Sequence, residues 1–272
     1  MANVFASFAT PNFAGRRDYL CDSALAVGFD RALRFSPDDY LGTDFATRNA
    51  ETLALPRGAG YWLWKPWLIR EALRGLNSGD LLVYCDAGRS DYYKLTRFPK
   101  KLSELARSNG HGFLLGPVIS QHGPVSHWTK RDCLQIMGMD RPDVLVRPII
   151  QATWSLWTPS DLAFSFLDQW LTYCEDSRCL ADNLNVLGFD NHSGFRDHRH
   201  DQSILTLLAY KNNSPFLDFT STGVFGFLGL RKKSMLANFF LKRIDDAENL
   251  LNRGLAVALA ASLWDLKVKN LS

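Results

Sequence analysis

The sequence predicts an α/β domain, and three observations predict it. Strand-like and helix-like segments alternate from the amino terminus onward. One segment, Leu81-Leu82-Val83-Tyr84-Cys85, has the unbroken apolar composition of a buried strand. Asp86-Ala87-Gly88 follows it directly. A carboxylate there stands where open α/β sheets collect ligands, at the edge where strands finish and loops diverge.

Asn3 to Thr10 reads as a first strand, ended by a turn at Pro11-Asn12. Arg16 to Val27 reads as a helix closing near Gly28, and Arg31 to Phe35 as the next strand. Ser36-Pro37-Asp38-Asp39 resembles a capped helical start, because proline suits a first helical position and acids suit the positive end. Trp62 and Trp64 read as alternate residues of a strand. Pro66 to Leu76 follows as a helix, with Leu68, Ile69, Ala72, Leu73 and Leu76 on one face and Asn77-Ser78-Gly79-Asp80 as its stop. Leu102 to Ser108 gives a short helix. Residues 109–130, rich in glycine, histidine and polar turns, read as an acceptor loop or an irregular subdomain. Arg131 to Met137 is helical, and Asp143 to Arg147 and Gln151 to Leu156 resemble strands. Thr158-Pro159-Ser160-Asp161 introduces a packed helix from Leu162 to Cys174, and another helix begins near Asp201-Gln202-Ser203. The tail mixes amphipathic helical signals with Lys232, Lys233, Lys242 and Arg243. The expected division is a catalytic domain over 1–225 and a helical, basic extension over 226–272 packed on it.

Of the 272 residues, 46% are apolar and 22% charged, which excludes global disorder. With 31 basic and 28 acidic residues the formal charge is +3, too small an excess to mark a nucleic-acid binder. No recognition module or long basic stripe accompanies the aromatics, so nucleic acid is not an expected partner. The five cysteines form no CxxC pair, which argues against a zinc ribbon or a dithiol redox motif and fits reduced thiols in the cytosol. The start of the chain shows no basic segment ahead of its apolar run, and no apolar stretch is long enough to cross a bilayer. The expected location is cytoplasmic, with the basic tail offering peripheral contact to an anionic membrane at its inner face.

Two segments concentrate chemistry. Asp86 can ligate a divalent cation, Mn2+ or Mg2+, but one carboxylate cannot fill a coordination sphere. The other reading of Asp86 is a strand-terminal cap; Asp91, five residues on, reads first as a solvated loop acid. Gly88 permits close approach of phosphate or sugar, or simply a turn. The stretch Arg57-Gly58-Ala59-Gly60-Tyr61-Trp62-Leu63-Trp64-Lys65-Pro66-Trp67 is dense in binding groups without being a Walker or dinucleotide loop. Arg57 and Lys65 could neutralise a diphosphate, and Tyr61 or Trp62 could cover a base or sugar; the aromatics could equally be core. Phe8 at the end of the first strand and Arg16 just beyond it join the candidates for nucleotide contact. Gln151 and Trp154 offer a hydrogen bond and an apolar face to a sugar, or stabilise the interior.

Three motifs together, Tyr61-Trp62-Leu63-Trp64-Lys65-Pro66, Leu82-Val83-Tyr84-Cys85-Asp86-Ala87-Gly88 and His198-Arg199-His200-Asp201-Gln202-Ser203, resemble in kind and order those of bacterial sugar-nucleotide-dependent glycosyltransferases. The chain is similar to members of GT-A-like fold that build surface polysaccharide or lipopolysaccharide, over about residues 3–211. The resemblance implies a mixed central sheet flanked by helices. It also implies transfer of a sugar from a nucleotide-sugar donor to a hydroxyl of a glycan or lipid-linked acceptor. Asp86 matches the family's metal-binding acid, whereas Gly88 stands where the acid-x-acid pattern has its second carboxylate. Lys65 matches the basic position of the tryptophan-rich motif, a contact for the diphosphate, with Arg57 as a weaker companion. Asp201 matches a second carboxylate that orients or deprotonates the acceptor, or else caps a helix. Arg199, Asp201 and Gln202 would surround donor or acceptor hydroxyls, and His198 or His200 would contact acceptor, phosphate or metal, or else cap and solubilise that helix. A non-catalytic sugar-binding or polysaccharide-assembly protein is the alternative reading.

Overall fold

The computed structural model describes residues 1–88, 91–118, 122–218 and 230–232. Its strands are β1 (Asn3–Phe8), β2 (Arg31–Phe35), β3 (Leu81–Cys85), β4 (Tyr93–Leu95), β5 (Phe113–Val118), β6 (Trp154–Trp157), β7 (Phe216–Asp218) and β8 (Leu230–Lys232). Six of them form one mixed sheet in the order β2-β1-β3-β6-β5-β7; β4 and β8 make a separate two-stranded sheet. β1 runs parallel to both β2 and β3, β6 runs antiparallel to β3 and β5, and β5 is parallel to β7.

The period-two alternation of each strand divides the core into two layers. Leu82 and Tyr84 join Val4, Ala6, Leu115 and Trp157 on one side, while Leu81, Val83 and Cys85 join Phe5, Leu114 and Trp154 on the other. The first layer is covered by the helices Trp64–Arg74, Asp161–Cys174 and Asp201–Lys211, the second by Ala14–Ala26 and Lys100–Ser108. Every residue of β3 is buried, as its unbroken apolar run predicts. Ser36 caps the short Pro37–Asp39 turn in a full capping box with Asp39, as its sequence suggests.

Three expectations change. Residues 109–130 contain β5, hidden in the sequence by Gly116 and Pro117. Asp143 to Arg147 is not a strand: Pro142 opens a helical turn, Pro142–Leu145. Trp62 and Trp64 do not alternate on a strand. Gly58 through Trp62 all carry positive φ, and Trp64 opens the helix that follows. The chain divides into the units Met1–Arg231 and Lys232–Ser272. The expected helical extension falls almost wholly outside the described residues; of its described part, Leu230–Lys232 is strand.

Candidate active site

β3 delivers Asp86 to the carboxyl edge of the sheet. The Asp86 amide donates to the Thr153 carbonyl at 2.9 Å, continuing the antiparallel ladder that pairs Cys85 with Trp154. Tyr84 lies two residues earlier on the same face, and its hydroxyl donates to Asp86 Oδ1 at 2.6 Å. Lys65 is the second residue of the Trp64–Arg74 helix, and its side chain is 2% exposed. Its Nζ stands 2.9 Å from Asp201 Oδ2, 3.3 Å from the Asp86 carboxylate and 3.4 Å from the Ala152 carbonyl. Asp86 and the Ala152 carbonyl accept hydrogen bonds from it, and Asp201 is its closest ion-pair partner. Asp201 opens the Asp201–Lys211 helix, is 3% exposed, and is fixed from behind where Trp170 Nε1 donates to its carbonyl.

Asp86 and Lys65 therefore lie together. Lys65 lies beneath Asp86 with its hydrogens already directed at protein oxygens. Asp201 is buried as well, so neither side chain presents itself for the direct ligand contact expected of it. The Asp86 side chain, 24% exposed, is the member that faces outward. Burial acts to lower the Lys65 pKa, but the charges and hydrogen bonds of Asp201 and Asp86 outweigh it and hold the ammonium above its ordinary range. Burial drives the Asp201 carboxyl up to about 6, against the pull of Lys65. Burial and the adjoining carboxylate push the Tyr84 phenol well up, so it remains a donor.

The donor set does not suit a resident divalent cation. Asp86 is engaged by Tyr84 and Lys65, Gly88 supplies no carboxylate, and the ammonium occupies the space between the two acids. Among the described residues no three His, Cys, Asp or Glu side chains gather to hold a metal.

No protein-family profile and no curated protein matches the chain. Solved structures do show similarity. The apo WbbM bifunctional glycosyltransferase aligns at 13% identity and a TM-score of 0.43, over 79% of this chain and 38% of that one, so the chain spans well under half its length. A glycosyltransferase involved in glycosylation of the major capsid of PBCV-1 aligns at 11% identity and a TM-score of 0.37, over 84% and 89%. The galactosyltransferase LgtC, in complex with donor and acceptor sugar analogues, aligns at 16% identity and a TM-score of 0.40, over 79% and 73%.

The remaining candidates separate into three places. Among the residues expected to meet a nucleotide, Gly88 adopts φ +86°, and a Cβ there would come within 2.7 Å of the Tyr93 ring. The loop it belongs to reaches the Ala14–Ala26 helix, where Arg16 lies over the rings of Phe13 and Tyr92. Phe8 is stacked on Trp64 at 3.7 Å and buried, so it forms the floor rather than a contact. Arg57 is already bridged to Asp182 at 2.8 Å and Asp197 at 2.7 Å, which ties three loops together and leaves the diphosphate role unsupported.

In the histidine motif, His198 is structural. Its Nδ1 accepts from the Lys130 amide and its Nε2 donates to the Cys179 carbonyl at 2.7 Å. Burial, followed by the neighbouring His200, holds it well below its ordinary pKa and therefore neutral. His200 is buried at φ +51°, donates from Nδ1 to the Leu180 carbonyl, and stacks on Tyr61 at 4.6 Å and Trp62 at 5.8 Å. Both histidines brace the start of the Asp201 helix instead of meeting an acceptor.

Gln151, Arg199 and Gln202 do converge. With His122, Trp128 and Ile149 they line a cavity of about 220 Å3. Trp154, by contrast, is 1% exposed in the core layer behind β3, so its ring faces the interior rather than a sugar. His122 and Trp128 carry no sequence signal because each is a single residue outside a motif, and Tyr84, though inside the Leu82–Gly88 motif, reads there only as buried strand; the fold brings all three to the site.

Proposed function

We propose that the chain is a glycosyltransferase that moves a sugar from a nucleoside-diphosphate donor to a hydroxyl of a glycan or lipid-linked acceptor, in building bacterial surface polysaccharide. The observation that carries the reading is the Asp86–Lys65–Asp201 cluster. It unites the three resembling motifs at the carboxyl edge of one GT-A-like mixed sheet. Buried ion pairs are poor devices for stability alone, since desolvation offsets most of their attraction.

In the reaction the acceptor oxygen bonds to the anomeric carbon as that carbon's bond to the diphosphate oxygen breaks. The electron pair leaves on the nucleoside diphosphate. In an inverting transfer the acceptor proton passes to a carboxylate, and Asp86 is the one a ligand can reach. Tyr84 and Lys65 hold that carboxylate in one orientation, and Asp201 holds Lys65; these are positioning roles. Arg16 and the Gly88 turn frame the place for the nucleotide. A divalent cation arriving with the donor would meet Asp86 alone among these residues, so no step depends on one. A cytoplasmic site, peripheral to the membrane, accords with a lipid-linked acceptor; among the described residues no helix is long and apolar enough to cross a bilayer.

A donor-by-acceptor mass-spectrometric screen tests the proposal, run with and without Mn2+ or Mg2+. A glycosylated product, or donor hydrolysis to nucleoside diphosphate without acceptor, is expected. Saturable sugar binding with no turnover across the screen would instead establish the non-catalytic alternative.

A further inference from the structure

The cavity beside the cluster has a chemical bias that the transferase reading does not require. Its walls adjoin the site through the chain: Gln202 follows Asp201, and Gln151 precedes the Ala152 carbonyl that accepts from Lys65. The Trp128 indole is fixed by donation from its Nε1 to the His122 carbonyl, while its own carbonyl accepts from the Arg199 amide and from Ser203 Oγ. The Arg199 guanidinium lies over the Trp128 ring at 4.2 Å. Its nearest acid, Asp197, is 3.9 Å away and is committed at 2.7 Å to Arg57, so Arg199 keeps most of its hydrogen-bonding capacity. Gln151 Nε2 contacts His122 Nδ1 at 2.9 Å; with the amide donating, the imidazole presents its other nitrogen as a second donor. Burial, then the charge of Arg199, lowers the His122 pKa and so favours the neutral imidazole.

None of the six lining residues is an acid. A neutral sugar displays hydroxyl donors that a site usually meets with carboxylates. Here the wall offers a guanidinium, amides, an imidazole N–H and an indole face, a set rich in donors that suits a ligand rich in acceptors.

We propose that this cavity binds an anionic pyranose, a sugar bearing a carboxylate or a phosphate, as the acceptor residue, with Arg199 taking the anionic group and Trp128 the ring. This inference rests on the transferase reading for the word acceptor, but not for the binding itself.

The test is calorimetric titration of the full chain with methyl glucuronide, a hexose phosphate, neutral methyl glucoside and inorganic phosphate, repeated for Arg199→Gln. The Arg199 side chain is 44% exposed, so that variant keeps the core intact. At least one anionic sugar is expected to bind ~10-fold or more tighter than the neutral one, the advantage of a charge-assisted hydrogen bond. Arg199→Gln is expected to erase that difference. Which anionic sugar binds identifies the group recognised. Equal affinity for the neutral sugar, inorganic phosphate matching the hexose phosphate, or an unchanged preference in Arg199→Gln would overturn the proposal. Nucleotide-sugar turnover by the unaltered protein is scored separately, so loss of the anionic preference leaves the transferase reading standing, and absence of turnover leaves the binding result standing.

Discussion

Lys65 is the residue on which the site turns, because it carries a full charge through a nearly sealed interior. Replacing it with methionine would leave Asp201 and Asp86 facing one another without their shared cation. Removing one partner of a buried pair costs about 3–5 kcal/mol, and the lower end applies because Asp86 is partly solvated. Urea unfolding of Lys65→Met is expected to show that loss; a midpoint equal to wild type would mean the cluster is not held as described. Asp201 sets a pH dependence. Its folded pKa of about 6 lies above its ordinary 3.8, so its share of stability is full below that ordinary value and is lost as pH rises through 6. Catalysis runs the other way, since only ionised Asp201 is a proper counter-charge for Lys65. Turnover should therefore climb through pH 6, and Asp201→Asn should lose that limb. Retention of the limb in the variant would assign it to another group.

Among the elements, the turn before the Lys65 helix is the least expected. Gly58, Ala59, Gly60, Tyr61 and Trp62 are all left-handed, and a non-glycine residue there costs roughly 1–2 kcal/mol. Several contacts hold the turn: Trp64 Nε1 donates to the Gly58 carbonyl, Arg57 bridges Asp182 and Asp197, and Tyr61 stacks on His200, itself at positive φ. Strain collected at two facing segments beside a candidate site is characteristic of functional geometry. Gly60 has no latitude, since a Cβ would stand 2.7 Å from Leu53 Cα and 2.9 Å from the Thr52 carbonyl, both backbone. Gly60→Ala is expected to lower stability by on the order of 1–3 kcal/mol and to reduce turnover by misplacing Lys65. Thermal melting indistinguishable from wild type would contradict the turn.

The same contrast explains what was legible in the sequence. The Leu81–Cys85 run marks its strand, and with it the place of Asp86 at the strand's carboxyl end, because a short continuous apolar segment between turn signals suits a buried strand. Ala59, Tyr61 and Trp62 carry no signal for left-handed backbone; tertiary contacts impose it. His198 and His200 drew attention as polar residues, yet their partners are carbonyls of Cys179 and Leu180, some twenty residues back, which no local pattern reveals. Arg57 looks like a phosphate ligand in the sequence because its two carboxylates are more than a hundred residues distant in the chain.

For the whole molecule, the sheet separates two tasks. In the proposed reaction the nucleotide would lie at one side of its carboxyl end, by Arg16 and the Gly88 turn, and the acceptor at the other, by Gln151 and Gln202. A lipid-linked acceptor would also require a membrane nearby, and the basic residues of the tail, Lys233, Lys242 and Arg243, lie outside the described residues. Vesicles of anionic lipid are expected to pull the full chain down at low ionic strength and release it as salt screens the charges. Failure to sediment at any ionic strength would place the acceptor in solution.

The central claim is that Asp86 meets the reacting sugar. Its direct measurement is the rate of nucleoside-diphosphate release by Asp86→Asn at saturating donor, with folding checked by circular dichroism. The amide keeps the shape and removes the charge, so turnover should fall by roughly 10²-fold or more while the fold persists. A folded Asp86→Asn protein that releases the diphosphate at the wild-type rate would contradict the account.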